Sequence, residues 1–203
     1  MSKFIFSLFF LLLSFSCKPV VNEVQVNPKK ETTKLQGVDS KGSGLQVNIS
    51  YTKDSLVLTQ DGREIYRVNN VAFGSGGVKE KRRQGDNITP VGEFRIVDIR
   101  PSAKFKIFME LSYPNPNYGR RGHRLGLINN FQLQQILLSD RLKTVPPQNT
   151  KLGGHIGIHG VGRGDVWVHK RANWTAGCVA LHNHEITKLS TLVRVGTPVN
   201  ILR

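Results

Sequence analysis

From Leu45 to Val68 the chain reads LQVNISYTKDSLVLTQDGREIYRV, with apolar and polar residues in alternation. Successive side chains on a strand point to opposite faces, so a period of two predicts half-buried strands. Asp61-Gly62 falls between two such runs and predicts a hairpin. Three further stretches read as strands. GEFRIVDIR places Phe94, Ile96 and Ile99 mostly on alternating positions, GGHIGIHG is a glycine-rich strand, and TPVNILR closes the chain. Helical spacing is rarer. In NHEITKLSTLVRVG, Asn183 suits an N-cap, Gly196 a stop, and Ile186, Leu189 and Val193 fall on one face. GLINNFQLQQILLSDRLK predicts a second helix inserted between strands. There is no internal repeat. The pattern predicts a mainly β domain with one or two helices.

The first 44 residues follow a different pattern. Lys3 gives a short positive start, an apolar run extends from Phe4 to Leu13, and Ser14 and Ser16 lead to Cys17. This layout is that of an export signal, and the apolar run is too short to span a bilayer. Cys17 at the cleavage position resembles a bacterial lipoprotein box, although Ser14 stands where Leu is usual and Phe15 is bulky. The alternative is an ordinary signal peptide cut elsewhere, or a retained anchor. Residues 18 to 44 are polar and poor in aromatics, which predicts a flexible tether. The expected organisation is a signal peptide over residues 1–16, a lipid-anchored tether over 17–44 and one domain over 45–203. Such a protein is exported and membrane-anchored on the periplasmic side.

Charge narrows the choice of partners. The formal net charge is +15 on 203 residues. An exported chain seldom meets nucleic acid, and no nucleic-acid motif is present. Anionic wall polymers or an anionic membrane surface fit better, with a merely solvated basic surface as the alternative.

The chain has two cysteines, Cys17 and Cys178. With Cys17 lipidated, Cys178 is an unpaired thiol in an exported protein, which raises the question of reactivity. It follows Thr175, Ala176 and Gly177, small residues that permit a tight turn. Such a turn exposes the sulfur and leaves the N–H groups of Gly177 and Cys178 to face a developing oxyanion. Free cysteines are more often buried structural residues, so the neighbours must decide. A nucleophilic thiol needs a base. Of six histidines, His159 stands out: HIGIHG puts it at the end of a strand beside Gly160, nineteen positions before Cys178. His169, His182 and His184 read as surface histidines. His155 and His159, four apart, would share a face of one strand and are the candidate pair for a metal site. The H-E-x-x-H motif is absent and carboxylates are scarce nearby, so no metal is expected.

In chain order, these residues resemble the L,D-transpeptidase family, whose catalytic domain is the YkuD type. QGDNITPVGEFRI (Gln84 to Ile96) is similar to the family's G-D-x-x-T-P-x-G-x-[FY]-x-I segment. LSYPNPN (Leu111 to Asn117) resembles an S-Y-P-N element of one branch, GGHIGIHG the strand that delivers the family histidine, NWTAGCVAL the turn carrying the nucleophile, and VGTPVNIL the closing strand. The resemblance covers about Leu45 to Arg203 and implies a YkuD-like β-sandwich with its site in a cleft between strand ends. It implies Cys178 as nucleophile, His159 as general base and acid, and Gly160 as the residue whose carbonyl orients the histidine. Many members carry Arg or Asn two residues after the cysteine, where this chain has Ala180. The branch with W-T-x-G-C-[IV]-A shares the Ala and includes hydrolases.

The resemblance implies cysteine-dependent acyl transfer on peptidoglycan stem peptides, with no metal or organic cofactor. A hydrolase using the same site is the first alternative. A non-catalytic wall-binding lipoprotein and a zinc peptidase are the others.

Overall fold

The computed structural model describes residues 44–203, so the export signal, Cys17 and most of the tether lie outside the described residues. The alternating stretch from Leu45 forms three strands, β1 (Leu45–Ser50), β2 (Ser55–Gln60) and β3 (Arg63–Asn69). Asp61 and Gly62 both take positive φ, 50° and 78°, as the expected hairpin requires. Two short strands, β4 (Val78–Lys79) and β5 (Thr89–Pro90), pair in parallel apart from the main sheet. The remaining strands are β6 (Gly92–Ser102), β7 (Lys106–Leu111), β8 (Gly157–Gly160), β9 (Val179–Leu181) and β10 (Pro198–Leu202).

The main sheet has the order β3-β2-β1-β10-β6-β7-β8-β9. Its hinge is β6, the longest strand. Gly92 to Arg95 pair with β10, whereas Ile96 to Ser102 pair with β7, and the register shifts between Ile96 and Asp98. A bulge twists and bends a strand, so one strand can serve two sheet halves. The edges of the sheet approach each other again where Ala72, just after β3, bridges Ala180 of β9. The result is the expected β-sandwich. Its core includes Val47, Ile49, Leu56, Leu58, Ile96, Met109, Leu111, Ile158, Val179, Leu181 and Ile201, each at most 1 % exposed.

Four helices complete the domain: α1 (Pro116–Arg124), α2 (Asn130–Leu142), α3 (Val166–His169) and α4 (Asn183–Leu192). Both expected helices are present. The cap of α4 is His182 rather than Asn183, and the helix stops at Leu192, before Gly196. Asn183 has a different use. Its amide accepts from the Gly162 N–H at 2.7 Å and donates to the Gly162 carbonyl at 2.8 Å. The helices α1 and α3 carry no long apolar stripe, and their starts are marked by capping side chains instead: Asn115 caps Tyr118 N–H, and Asp165 caps Trp167 N–H. GGHIGIHG is a strand only over its last four residues; His155 lies before it with φ 53°. Among the described residues no helix is long and apolar enough to cross a membrane.

The loop between β4 and β5 is organised by one carboxylate. Asp86 pairs with Lys81 and accepts from the N–H groups of Arg82, Arg83 and Ile88. Burial by itself would raise the Asp86 pKa, but Lys81 and the three N–H groups outweigh it and hold the carboxyl below its ordinary 3.8. The Lys81 side chain is only 3 % exposed. Asp86→Ala strands that ammonium without a partner and is expected to cost about 3–5 kcal/mol in urea unfolding at pH 7. Because the folded pKa is depressed, Asp86's contribution is present above 3.8 and fades as pH falls through the folded value. The gap between parent and variant should therefore close toward pH 2, and a constant gap would show that the carboxylate is not its source.

Candidate active site

Strands β8 and β9 run parallel, with Ile158 opposite Val179 and His159 opposite Ala180. Alternation puts Ile158, Val179 and Leu181 into the core and turns His159 and Ala180 to the other face. Cys178, two residues before Ala180, continues that face. On the other side of β8, Phe108 stands opposite His159 and Glu110 opposite Gly157. One sheet face therefore gathers Phe108, Glu110, His159 and Cys178, contributed by the neighbouring strands β7 and β8 and the turn before β9. The structure brings together the two residues that the sequence singled out.

His159 is 1 % exposed. Its Nδ1 lies 2.8 Å from the Gly160 carbonyl oxygen. A carbonyl only accepts, so Nδ1 carries the proton and Nε2 is the free base. The Gly160 N–H in turn donates to Phe105 O at 3.1 Å. Aromatic rings wall the imidazole: Phe105 at 4.0 Å between centroids, Trp174 at 5.8 Å edge-on and Phe108 at 6.1 Å. This burial pushes the His159 pKa down from 6.5 to about 4; the Gly160 bond opposes the shift and Lys104 adds to it. Only glycine fits at position 160. An added Cβ would lie 2.7 Å from Asn183 Oδ1 and 2.8 Å from Phe105 O.

Cys178 is partly exposed, and its thiol donates to the His155 carbonyl at 3.3 Å. Its pKa is raised from 9.0 to about 11, first by desolvation and then by Glu110, against a backbone bond from Gly157 and the charge of Lys81. The turn is braced from both ends. Thr175 Oγ1 donates to the Cys178 carbonyl at 2.7 Å, and Thr89, from β5, donates to the same oxygen at 3.4 Å while accepting from Gly74 N–H. The GDNITP segment thus supports the Cys178 turn through Asp86 and Thr89. Gly177 has φ 133°, and an added Cβ would meet Ile88 O at 2.8 Å.

Four expectations need correction. The Gly177 N–H, expected to face an oxyanion, donates to Thr175 Oγ1 at 3.1 Å, because the turn folds Thr175 back over it. His155 does not share a strand face with His159; its backbone is left-handed, and its ring reaches Glu110 Oε1 at 3.1 Å. His169 is not a surface residue but 3 % exposed, covered by Trp174 and His182. His182 is half-buried, and only His184 of the three is exposed. Among the described residues no three His, Cys, Asp or Glu side chains gather as metal ligands. Ala180 is fully buried, and its N–H and carbonyl pair with Ala72.

Sequence reasoning missed Glu110, Phe105 and Trp174. The available signal for Glu110 was a single charge inside the apolar strand KIFMEL. Its carboxylate is buried and bonded to Arg100 at 2.7 Å. A cavity of about 1040 Å³ is lined by Arg95, Asp140, Tyr118 and neighbours and includes neither Cys178 nor His159.

Residues 44–201 match the model of the YkuD L,D-transpeptidase catalytic domain. The chain belongs to this family. Among curated proteins none matches it in sequence. Among solved structures it is similar to a mutant of the helical cell shape determining protein Pgp2 from Campylobacter jejuni, with TM-score 0.53 and 19% identity over 77% of this chain and 46% of that one. A mutant of the Enterococcus faecium L,D-transpeptidase shares 12% identity over 79% of this chain and 50% of that one, with TM-score 0.46. The chain spans about half the length of these two structures.

The two pKa shifts have one consequence. With the thiol near 11 and the imidazole near 4, both groups are neutral at pH 7. Alkylation of Cys178 by iodoacetamide should climb about tenfold per pH unit up to pH 9 without a plateau, because only the thiolate reacts. A preformed thiolate–imidazolium pair would instead give a flat rate from about pH 5 upward, and that profile would overturn the neutral-pair assignment.

Proposed function

We propose that the chain is an L,D-transpeptidase-like cysteine acyltransferase acting on peptidoglycan stem peptides. The observation that carries this reading is the Nδ1 bond from His159 to Gly160 O, beside a cysteine on the same sheet face. That bond fixes the tautomer with Nε2 free, the state a general base needs. In the proposed reaction Cys178 attacks the carbonyl of the third stem residue, a diamino acid, at its L centre. Since the resting thiol is neutral, His159 Nε2 takes its proton as the sulfur bonds to carbon, then returns a proton to the departing amine. D-Alanine leaves and a thioester remains on Sγ. The Cys178 N–H stabilises the oxyanion, joined by Gly177 only if the Thr175 bond opens. An amine from a second stem then yields a cross-link, and water yields hydrolysis. The likeness to a cell shape determining protein supports a role in wall remodelling.

The same proposal places the domain on the periplasmic side, held by a lipid on Cys17, with the +15 charge facing the anionic wall or membrane surface. Cys17→Ser should move the protein from the membrane to the soluble periplasmic fraction, because the diacyl anchor supplies most of the attachment. Unchanged fractionation would refute the anchor.

Purified tetrapeptide muropeptides test the chemistry. Intact-mass spectrometry should find an acyl adduct on the parent and none on Cys178→Ala, while His159→Ala acylates about a hundred-fold more slowly or worse. Dimeric products identify an amine acceptor and tripeptide alone identifies water. Turnover by Cys178→Ala would sink the proposal.

A further inference from the structure

Behind the candidate site lies a second histidine for which the reaction has no step. His169 closes α3 and is 3 % exposed. Its Nδ1 accepts from Trp174 Nε1 at 3.4 Å, and its Nε2 is buried with no partner. The indole N–H only donates, so Nδ1 is the bare nitrogen and Nε2 carries the proton. Trp174 itself stands edge-on to His159, 5.8 Å between centroids. A contact chain thus runs from His169 through the indole to the base.

We propose that His169 is a positioning residue: it holds the Trp174 indole against His159 and so keeps water from the general base. The role rests on the acyl-transfer reading, yet it is visible in the resting protein. A buried polar atom without a partner costs stability, so a residue kept only for packing would serve better as an apolar one. The neutral imidazole is what the arrangement requires, since a proton on Nδ1 would expel the indole N–H. Burial holds His169 down at about 4, helped by His182, His159 and Lys170. Other charged groups on this side include Asp54 and Arg171, which line one pocket with His169, Lys104, which faces His159, and Asp165, whose carboxylate is engaged by the N–H groups of Trp167 and Val168.

Trp167 is exposed and is the only other tryptophan, so Trp167→Phe isolates the Trp174 signal. In that background His169→Leu removes the acceptor, His169→Gln keeps one in its amide oxygen, and Trp174→Phe keeps a ring without the N–H. For His169→Leu the Trp174 emission should shift to the red, with stronger acrylamide quenching. The His159 imidazole, followed by NMR, should titrate about one pH unit or more above its value in the parent, as hydration returns. The acid limb of kcat/KM should rise with it, because the base must be neutral to act. kcat should fall about tenfold or more with KM little changed. His169→Gln should restore emission and titration toward the parent. Trp174→Phe should reproduce the NMR shift, which keeps the test open if His169→Leu does not fold. A His159 titration and Trp174 emission unchanged in the Leu variant, or no NMR shift in Trp174→Phe, would overturn the proposal. Emission and NMR need no turnover, so they stand or fall apart from the acyl-transfer reading.

Discussion

The bond from His159 Nδ1 to the Gly160 carbonyl constrains everything around it. A residue that bonds the carbonyl of its own successor needs a backbone held without slack. The structure supplies that hold from three sides. Gly160 N–H is tied to Phe105 O, the missing Cβ lets Asn183 and Ile186 close in, and Asn183 clamps Gly162 with two hydrogen bonds. The helix α4, the loop after β8 and the loop before β7 are thereby fixed relative to one imidazole. A fold-level feature, the parallel pairing of β8 with β9, then sets Cys178 on the same face.

The site is dry on the histidine side. Phe105, Phe108 and Trp174 desolvate the imidazole, while Glu110 and burial hold the thiol neutral. Low dielectric penalises an ion pair that forms before substrate arrives. The proposed chemistry therefore moves a proton only when the sulfur is attacking, and a peptide that displaces water adds to that tendency. A thiol held neutral in this way is a poor nucleophile until its proton is taken.

The turn before β9 is held mainly through the Cys178 carbonyl. Thr175 and Thr89 both donate to Cys178 O, and Asp86 arranges the loop that carries Thr89. This explains why a motif more than eighty residues before Cys178 belongs to the site. Its residues do not touch the sulfur; they place the strand end from which the sulfur projects. Gly74, accepted by Thr89 and bridged to Thr175, completes the brace.

Alternation alone determined the first three strands and their Asp61-Gly62 turn, because a sheet with one buried face imposes period two on its own sequence. Small residues before Cys178, and His159 followed by Gly160, made the candidate pair legible, since turn and histidine bond are local and need particular residue types. Position 155 misled because a glycine-rich segment carries little periodicity, and only the left-handed backbone at His155 shows where the strand begins. The helices α1 and α3 were hidden for the same reason: capping, not an apolar stripe, starts them. Burial was beyond reach. Whether His169 is covered and how far the Cys178 thiol is raised depend on groups brought together only by the packed fold, whereas the Gly177 bond to Thr175 is set by the turn's own geometry. Desolvation is a property of the assembled packing, and no window of sequence contains it.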